Sequence, residues 1–84
     1  MKPIRLTKHA QEQRIERGAT ESEVRYAILN GCREPAKRGR EICCFSFPFN
    51  KNWQGKFYTV KQVAPVIKEE LNEIVVITVY TMYF

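Results

Sequence analysis

The sequence holds a single histidine, three cysteines and four scattered glycines, and each scarcity closes off a class of chemistry. Cys43 and Cys44 are adjacent, so on a strand they would point to opposite faces and make a poor disulfide or chelate. Zinc sites draw on Cys-x-x-Cys or paired-His spacings, and neither occurs here, so no metal and no cofactor is expected. The glycines form no phosphate-cradling loop, and no Ser/His/Asp or Cys/His order is evident. No apolar run approaches the ~20 residues that a bilayer-spanning helix needs. The best stretch, Ile74 to Phe84, contains two threonines and alternates like a strand. The opening Met1-Lys2-Pro3-Ile4-Arg5 does not read as a signal peptide. The expectation is a cytoplasmic protein with no membrane partner, and an odd number of cysteines fits that compartment. Repeats, linkers and low-complexity tracts are absent. Eighty-four residues suffice for one core but not two, so residues 1–84 read as a single domain.

What is present in excess is positive charge, and its location matters more than its sum of +5. Met1 to Arg40 contains ten Lys/Arg against five acidic residues, whereas Glu41 to Phe84 contains four of each. The densest run is Arg33-Glu34-Pro35-Ala36-Lys37-Arg38-Gly39-Arg40. Such a run is either a solvated loop or an edge that attracts a polyanion. On the second reading Lys8, Arg33, Lys37, Arg38 and Arg40 are the candidate nucleic-acid-binding residues.

Helical signals come first along the chain and alternation follows. Ile4 to Leu6 is a short strand or an extended lead-in. Thr7 is a plausible N-cap for a helix from Lys8 to Arg17, which Gly18 ends. Thr20-Glu21-Ser22-Glu23 has the form of a capping box, starting a second helix that runs to about Asn30 and buries Val24, Ala27 and Ile28. Arg33 to Gly39 reads as loop. Glu41 to Phe49 is a strand with Phe45, Phe47 and Phe49 on one face, and Pro48 places it at an edge or a bulge. A turn at Asn50 to Gly55 leads to a strand from Lys56 to Ala64, which Pro65 breaks or bends. Ile74 to Tyr83 is apolar on both faces and is expected at the centre of the sheet, covered by helices on one side. The predicted class is α+β, with two N-terminal helices on a three- to four-stranded, mostly antiparallel sheet.

The first helix is oddly polar. Its apolar side chains, Ala10 and Ile15, lie about 140° apart and make no stripe. His9, Gln13 and Arg17 do line up, at i, i+4 and i+8. Either this is an exposed helix laced by Glu12/Glu16 and Lys8/Arg17 pairs, or its polar stripe lines a cleft against the sheet. An imidazole can exchange a proton at neutral pH, and the first helical turn disfavours its cationic form. Thr78 and Tyr80 share a face of the last strand, where their hydroxyls need partners if covered. Trp53, beside Lys51 and Lys56, either stacks on a base or caps the core.

Several of these residues form a pattern. Leu6-Thr7-Lys8-His9-Ala10, Glu16-Arg17-Gly18-Ala19-Thr20, Glu23-Val24, Ala27-Ile28 and Gly31, with Val75-Val76-Ile77-Thr78-Val79-Tyr80 near the end, resemble the domain of unknown function 4258 family over nearly the whole chain. That resemblance implies a distant likeness to RelE/ParE/BrnT-type toxins, with N-terminal helices on an antiparallel sheet. The family pattern carries an arginine four residues after its motif histidine. This chain has Gln13 there, with Arg14 next to it, about 100° round the helix.

The functional expectation is a toxin-like, metal-independent endoribonuclease. His9 would act as base or acid, Arg14 and Arg17 would stabilise phosphorane charge, and Thr78 or Tyr80 would be the opposite partner. The alternative is a non-catalytic module that binds RNA or a protein such as an antitoxin. A third reading is a toxin acting on a protein such as a topoisomerase. RNA or a ribosome, an antitoxin and a second copy of the chain are the expected partners. Phe45, Phe47, Phe49 and Phe84 would supply apolar area for the last two.

Overall fold

A computed structural model describes residues 2–84. Two threonines start its two helices, each with a side chain that satisfies an otherwise unpaired N–H. Thr7 Oγ1 accepts from the Ala10 amide and caps α1, Lys8–Glu16. Thr20 Oγ1 accepts from Glu23 N while Glu23 returns a bond to Thr20 N, completing the capping box of α2, Glu21–Asn30. Between them Gly18 turns the chain at φ +78, and a Cβ there would sit 2.6 Å from Trp53 and from the Tyr83 hydroxyl. Glycine is thus required at that position on two counts.

Five strands make one mixed sheet: β1 Ile4–Leu6, β2 Cys32–Pro35, β3 Glu41–Trp53, β4 Lys56–Glu69 and β5 Ile74–Tyr83. Their spatial order is β1-β5-β4-β3-β2. β1 runs parallel to β5, and the other three pairings are antiparallel. The expected three- to four-stranded sheet of RelE/ParE form is therefore corrected to five strands, with one parallel pairing. Two segments account for the difference. The lead-in Ile4 to Leu6 is a strand, and the expected loop at Arg33 begins with β2, pairing Cys32 to Cys44 and Pro35 to Glu41. Every residue of β2 is exposed, so it has no apolar alternation to betray it. β5 is interior, but the middle of the order is β4.

The prolines act on register. β3 has a bulge between Pro48 and Lys51, beyond the reach of β2, so Pro48 stands on a free edge as well as at an irregularity. Pro65 does not end β4, which continues to Glu69. Its missing N–H instead leaves a gap in the β3 ladder, between the pairs Ile42↔Val66 and Phe45↔Val63.

Both helices lie on one face of the sheet. Val24 and Ile28 of α2 and Ala10 of α1 meet Cys43, Val63, Ile67, Val76 and Val79 in the core. Each fully buried Val or Ile stabilises the fold by about 1.5–3 kcal/mol. On the same face Phe45 and Phe47 pack edge-on against Tyr26, and Trp53 stacks on Tyr83 at 5.1 Å. Trp53 thus packs on Tyr83 and beside the Gly18 turn. The buried Lys61 donates to Gly18 O (2.9 Å) and pairs with Glu23 (2.7 Å), tying β4 to the turn between the helices. No helix among the described residues is long and apolar enough to cross a membrane.

Candidate functional site

α1 runs along the outer edge of β5, where β1 has stopped pairing, because both of its ends are bonded to that strand. At its start Thr7 N donates to Val76 O and Thr7 Oγ1 to Ile77 O. At its end the Arg17 carbonyl accepts from Thr81 Oγ1 (2.9 Å) and from the Tyr83 hydroxyl (2.6 Å). Burial pushes the Tyr83 phenol above its ordinary pKa, so it stays protonated as a donor. Ala10 is the one residue of α1 in the core, while Ile15 is 66% exposed, in keeping with their angular separation.

This anchoring turns the polar stripe towards β5. His9 Nε2 lies 3.3 Å from Thr78 Oγ1. Two turns on, Arg17 donates to Val79 O at 2.8 Å, and its guanidinium carbon sits 5.1 Å from the centre of the Tyr80 ring. Arg17 and Tyr80 thus make a cation–π contact, and among the described residues Val79 O is the one hydrogen-bond acceptor of the guanidinium. His9 and Arg17 are about 12 Å apart along the helix axis, and Thr78 and Tyr80 about 6.6 Å apart along the strand. His9 and Tyr80 make no direct hydrogen bond. His9 meets Thr78, Tyr80 meets Arg17, and the exposed Tyr80 hydroxyl has no protein partner among the described residues.

Arg14 stands apart. It donates to Gln11 Oε1 (2.7 Å) and to Ala19 O (3.3 Å), closing the turn between α1 and α2. The alternative of a salt-bridged α1 is not what forms, since among the described residues no charge of α1 or Arg17 enters an ion pair.

The expected nucleic-acid-binding residues fall into two groups. Lys8 is exposed beside His9. The others lie at the opposite edge, three strand spacings (about 14 Å) from β5. There Arg33 is already engaged by Glu41 (3.4 Å), Glu69 (3.1 Å) and Ile28 O. Lys37, Arg38 and Arg40 sit on the connection from β2 to β3 and make no ion pair among the described residues. A depression of about 460 Å³ at the start of β5, lined by Pro3, Glu70, Leu71, Asn72 and Glu73, includes none of the residues at which α1 meets β5. Arg5 binds Glu73 there and holds its carboxyl below the ordinary range.

Of the residues expected from the sequence, His9 meets Thr78 and Arg17 meets Tyr80, while the side chains that hold them there were not among the expected site residues. Thr7, Thr81 and Tyr83 position α1. The available signal was that Thr81 and Tyr83 share the Val79 face of β5, so their hydroxyls had to find a partner under the helix-covered side.

No curated protein and no solved structure matches the chain. The likeness to RelE, ParE and BrnT toxins gains no support from these comparisons. Residues 6–81 do match the family described as a domain of unknown function (DUF4258), and since the match takes in most of the 84 residues, the chain belongs to that family.

Proposed function

We propose that this domain acts on RNA, as a toxin-type, metal-independent endoribonuclease working in the groove between α1 and β5. The observation that carries this reading is the convergence on one strand edge of a histidine 3.3 Å from a hydroxyl and an arginine stacked on a tyrosine. His9 takes the proton of the RNA 2′-OH, and the 2′-oxygen attacks the adjacent phosphorus. Arg17 stabilises the phosphorane charge through its guanidinium N–H groups. Tyr80 gives its proton to the departing 5′-oxygen, leaving a 2′,3′-cyclic phosphate and a 5′-hydroxyl. Thr78 orients the imidazole. The reading places the protein in the cytoplasm, with Lys8 and the Lys37–Arg40 corner as phosphate contacts.

The test is RNA integrity in a cell-free translation reaction, mapped by primer extension, with wild type compared to His9→Ala and Arg17→Ala. His9→Ala is expected to lower cleavage by about 10²- to 10⁴-fold while the variant stays folded. Cleavage that survives the mutation would place the chemistry elsewhere.

A second reading is a binding module without catalysis, for RNA or for a protein such as an antitoxin. It is favoured by the separate partners of His9 and Tyr80. Intact RNA with every variant, together with retained RNA binding, would select it.

A further inference from the structure

We infer that the helix-free face of the sheet binds an unpaired stretch of RNA, stacking bases on Tyr80, Phe84 and Phe57. The inference rests on the reading of the domain as RNA-acting, but it does not require that the domain cleave.

Side-chain alternation assigns the face. Val79 is in the core, and Thr81 and Tyr83 bond to Arg17 on the helix side. Tyr80, Met82 and Phe84 therefore point the other way. Tyr58 packs on Tyr83, so its neighbour Phe57 also faces away from the helices. These four side chains are each 48–61% exposed, although they are among the largest apolar groups in the chain. They follow one path, from the Arg17 contact along β5 to the tip of the β3–β4 hairpin. Tyr80, Met82 and Phe84 succeed one another at about 6.6 Å. RNA-binding sheets use such a layout, in which aromatic side chains on an open face stack two or three unpaired bases.

Charge chooses the occupant. The strands β3, β4 and β5 contain two glutamates, Glu41 and Glu69, and Arg33 binds both on the helix side. The open face of these strands is left without a carboxylate and carries Lys68, next to the core residue Ile67. Arg17 borders it at Tyr80. Beyond the ion pairs, among the described residues nine Lys/Arg face four glutamates, so the surplus of +5 is available to a polyanion. The path also ends at the candidate groove, so a strand stacked here would pass its phosphate over Arg17.

The experiment measures fluorescence anisotropy of a labelled, unstructured RNA oligonucleotide, and of the same oligonucleotide annealed to its complement. The full-length His9→Ala chain is the background, so that the probe stays intact. Phe57→Leu and Phe84→Leu keep an apolar surface but remove the ring, and Phe84→Tyr restores one. The expected result is preference for the single strand, a loss of about five- to 150-fold for each leucine variant, and recovery in Phe84→Tyr; that range corresponds to 1–3 kcal/mol per stacked base. Equal affinity for the duplex, or leucine variants that bind like their parent, would overturn the inference. So would a concentration-dependent dimer that Phe84→Asp dissolves, because the face would then belong to a second copy. Cleavage by wild type without ring-dependent binding leaves the proposed function standing and removes the platform. Ring-dependent binding by a chain that never cleaves does the reverse.

Discussion

Replacing Lys61 tests the packing argument at its most sensitive point. The side chain is 5% exposed, with its ammonium on Gly18 O at 2.9 Å and Glu23 at 2.7 Å, and over the Phe49 ring at 5.3 Å. Lys61→Ala removes the cation and strands the Glu23 carboxylate in a site from which water is largely excluded. Removing one partner of a buried pair costs about 3–5 kcal/mol. Glu23 keeps some exposure and its bond to Thr20 N, which puts the expected loss near the lower bound, about 3 kcal/mol. In a domain of this size that lowers the thermal midpoint by roughly 12–24 °C. Lys61→Met retains the buried stem and should lose less, and Lys61→Met with Glu23→Gln less again, because no unpaired charge remains. Differential scanning fluorimetry of wild type, Lys61→Met, Glu23→Gln and the double variant, with Lys61→Ala beside them, closes a mutant cycle that isolates the pair. A Lys61→Ala midpoint within about 4 °C of wild type would refute the reasoning, since the pair would then contribute no more than an exposed one.

Two further outcomes follow from side chains away from the groove. Cys32 and Cys44 face each other across β2 and β3, at a Cα separation of about 4.5–5.5 Å whichever kind of antiparallel pair they form, inside the range a disulfide accepts. Diamide is expected to link them by withdrawing two electrons and two protons. Cys43 should stay free, because it is buried in the core and points to the opposite face of β3 from Cys44. Peptide mapping that finds Cys43 in the bridge would refute this. Glu69 is held below the ordinary carboxylate value by its bonds from Lys2 and Arg33, and Glu73 by its bond from Arg5. Carboxylates depressed in this way stabilise the fold above their unfolded value near 4.5, and the stabilisation is lost as pH falls through the folded value. The urea midpoint should thus decline on the acid side of that value, and less steeply in Arg5→Ala; parallel curves for the two proteins would count against it.

Local signals were the legible part of this fold. Thr7, the Thr20–Glu23 box and Gly18 each act within a turn of themselves, and both helices begin where those residues stand. Pairing was less legible. β2 has no buried residue and exists because β3 offers it an edge, which no property of Cys32 to Pro35 announces. Pro65 looked like a terminus because proline lacks a donor, yet β4 can pass through it by leaving a gap of two pairings in the β3 ladder. Of the candidate site, the His9–Arg17 stripe was visible as spacing on a helix too polar to pack. That it faces Thr78 and Tyr80 depends on Thr7, Thr81 and Tyr83 bonding across more than sixty residues, and long-range contacts of that kind leave no periodicity. Arg14 was grouped with Arg17 by charge, but it is bonded instead to the turn that follows the helix.

The parallel pairing of β1 with β5 has a consequence for the order of events in folding. The groove joins residues 62 to 69 positions apart in the chain. During synthesis α1, α2 and the β2–β3–β4 meander emerge before β5, so they can pair while α1 still has no strand edge to lie against. Closing that last, most distant contact is an entropic step of high contact order, and it comes late. The contact between α1 and β5 therefore cannot form before β5 has emerged. Whatever the groove does to its partner, it cannot begin until β5 has docked.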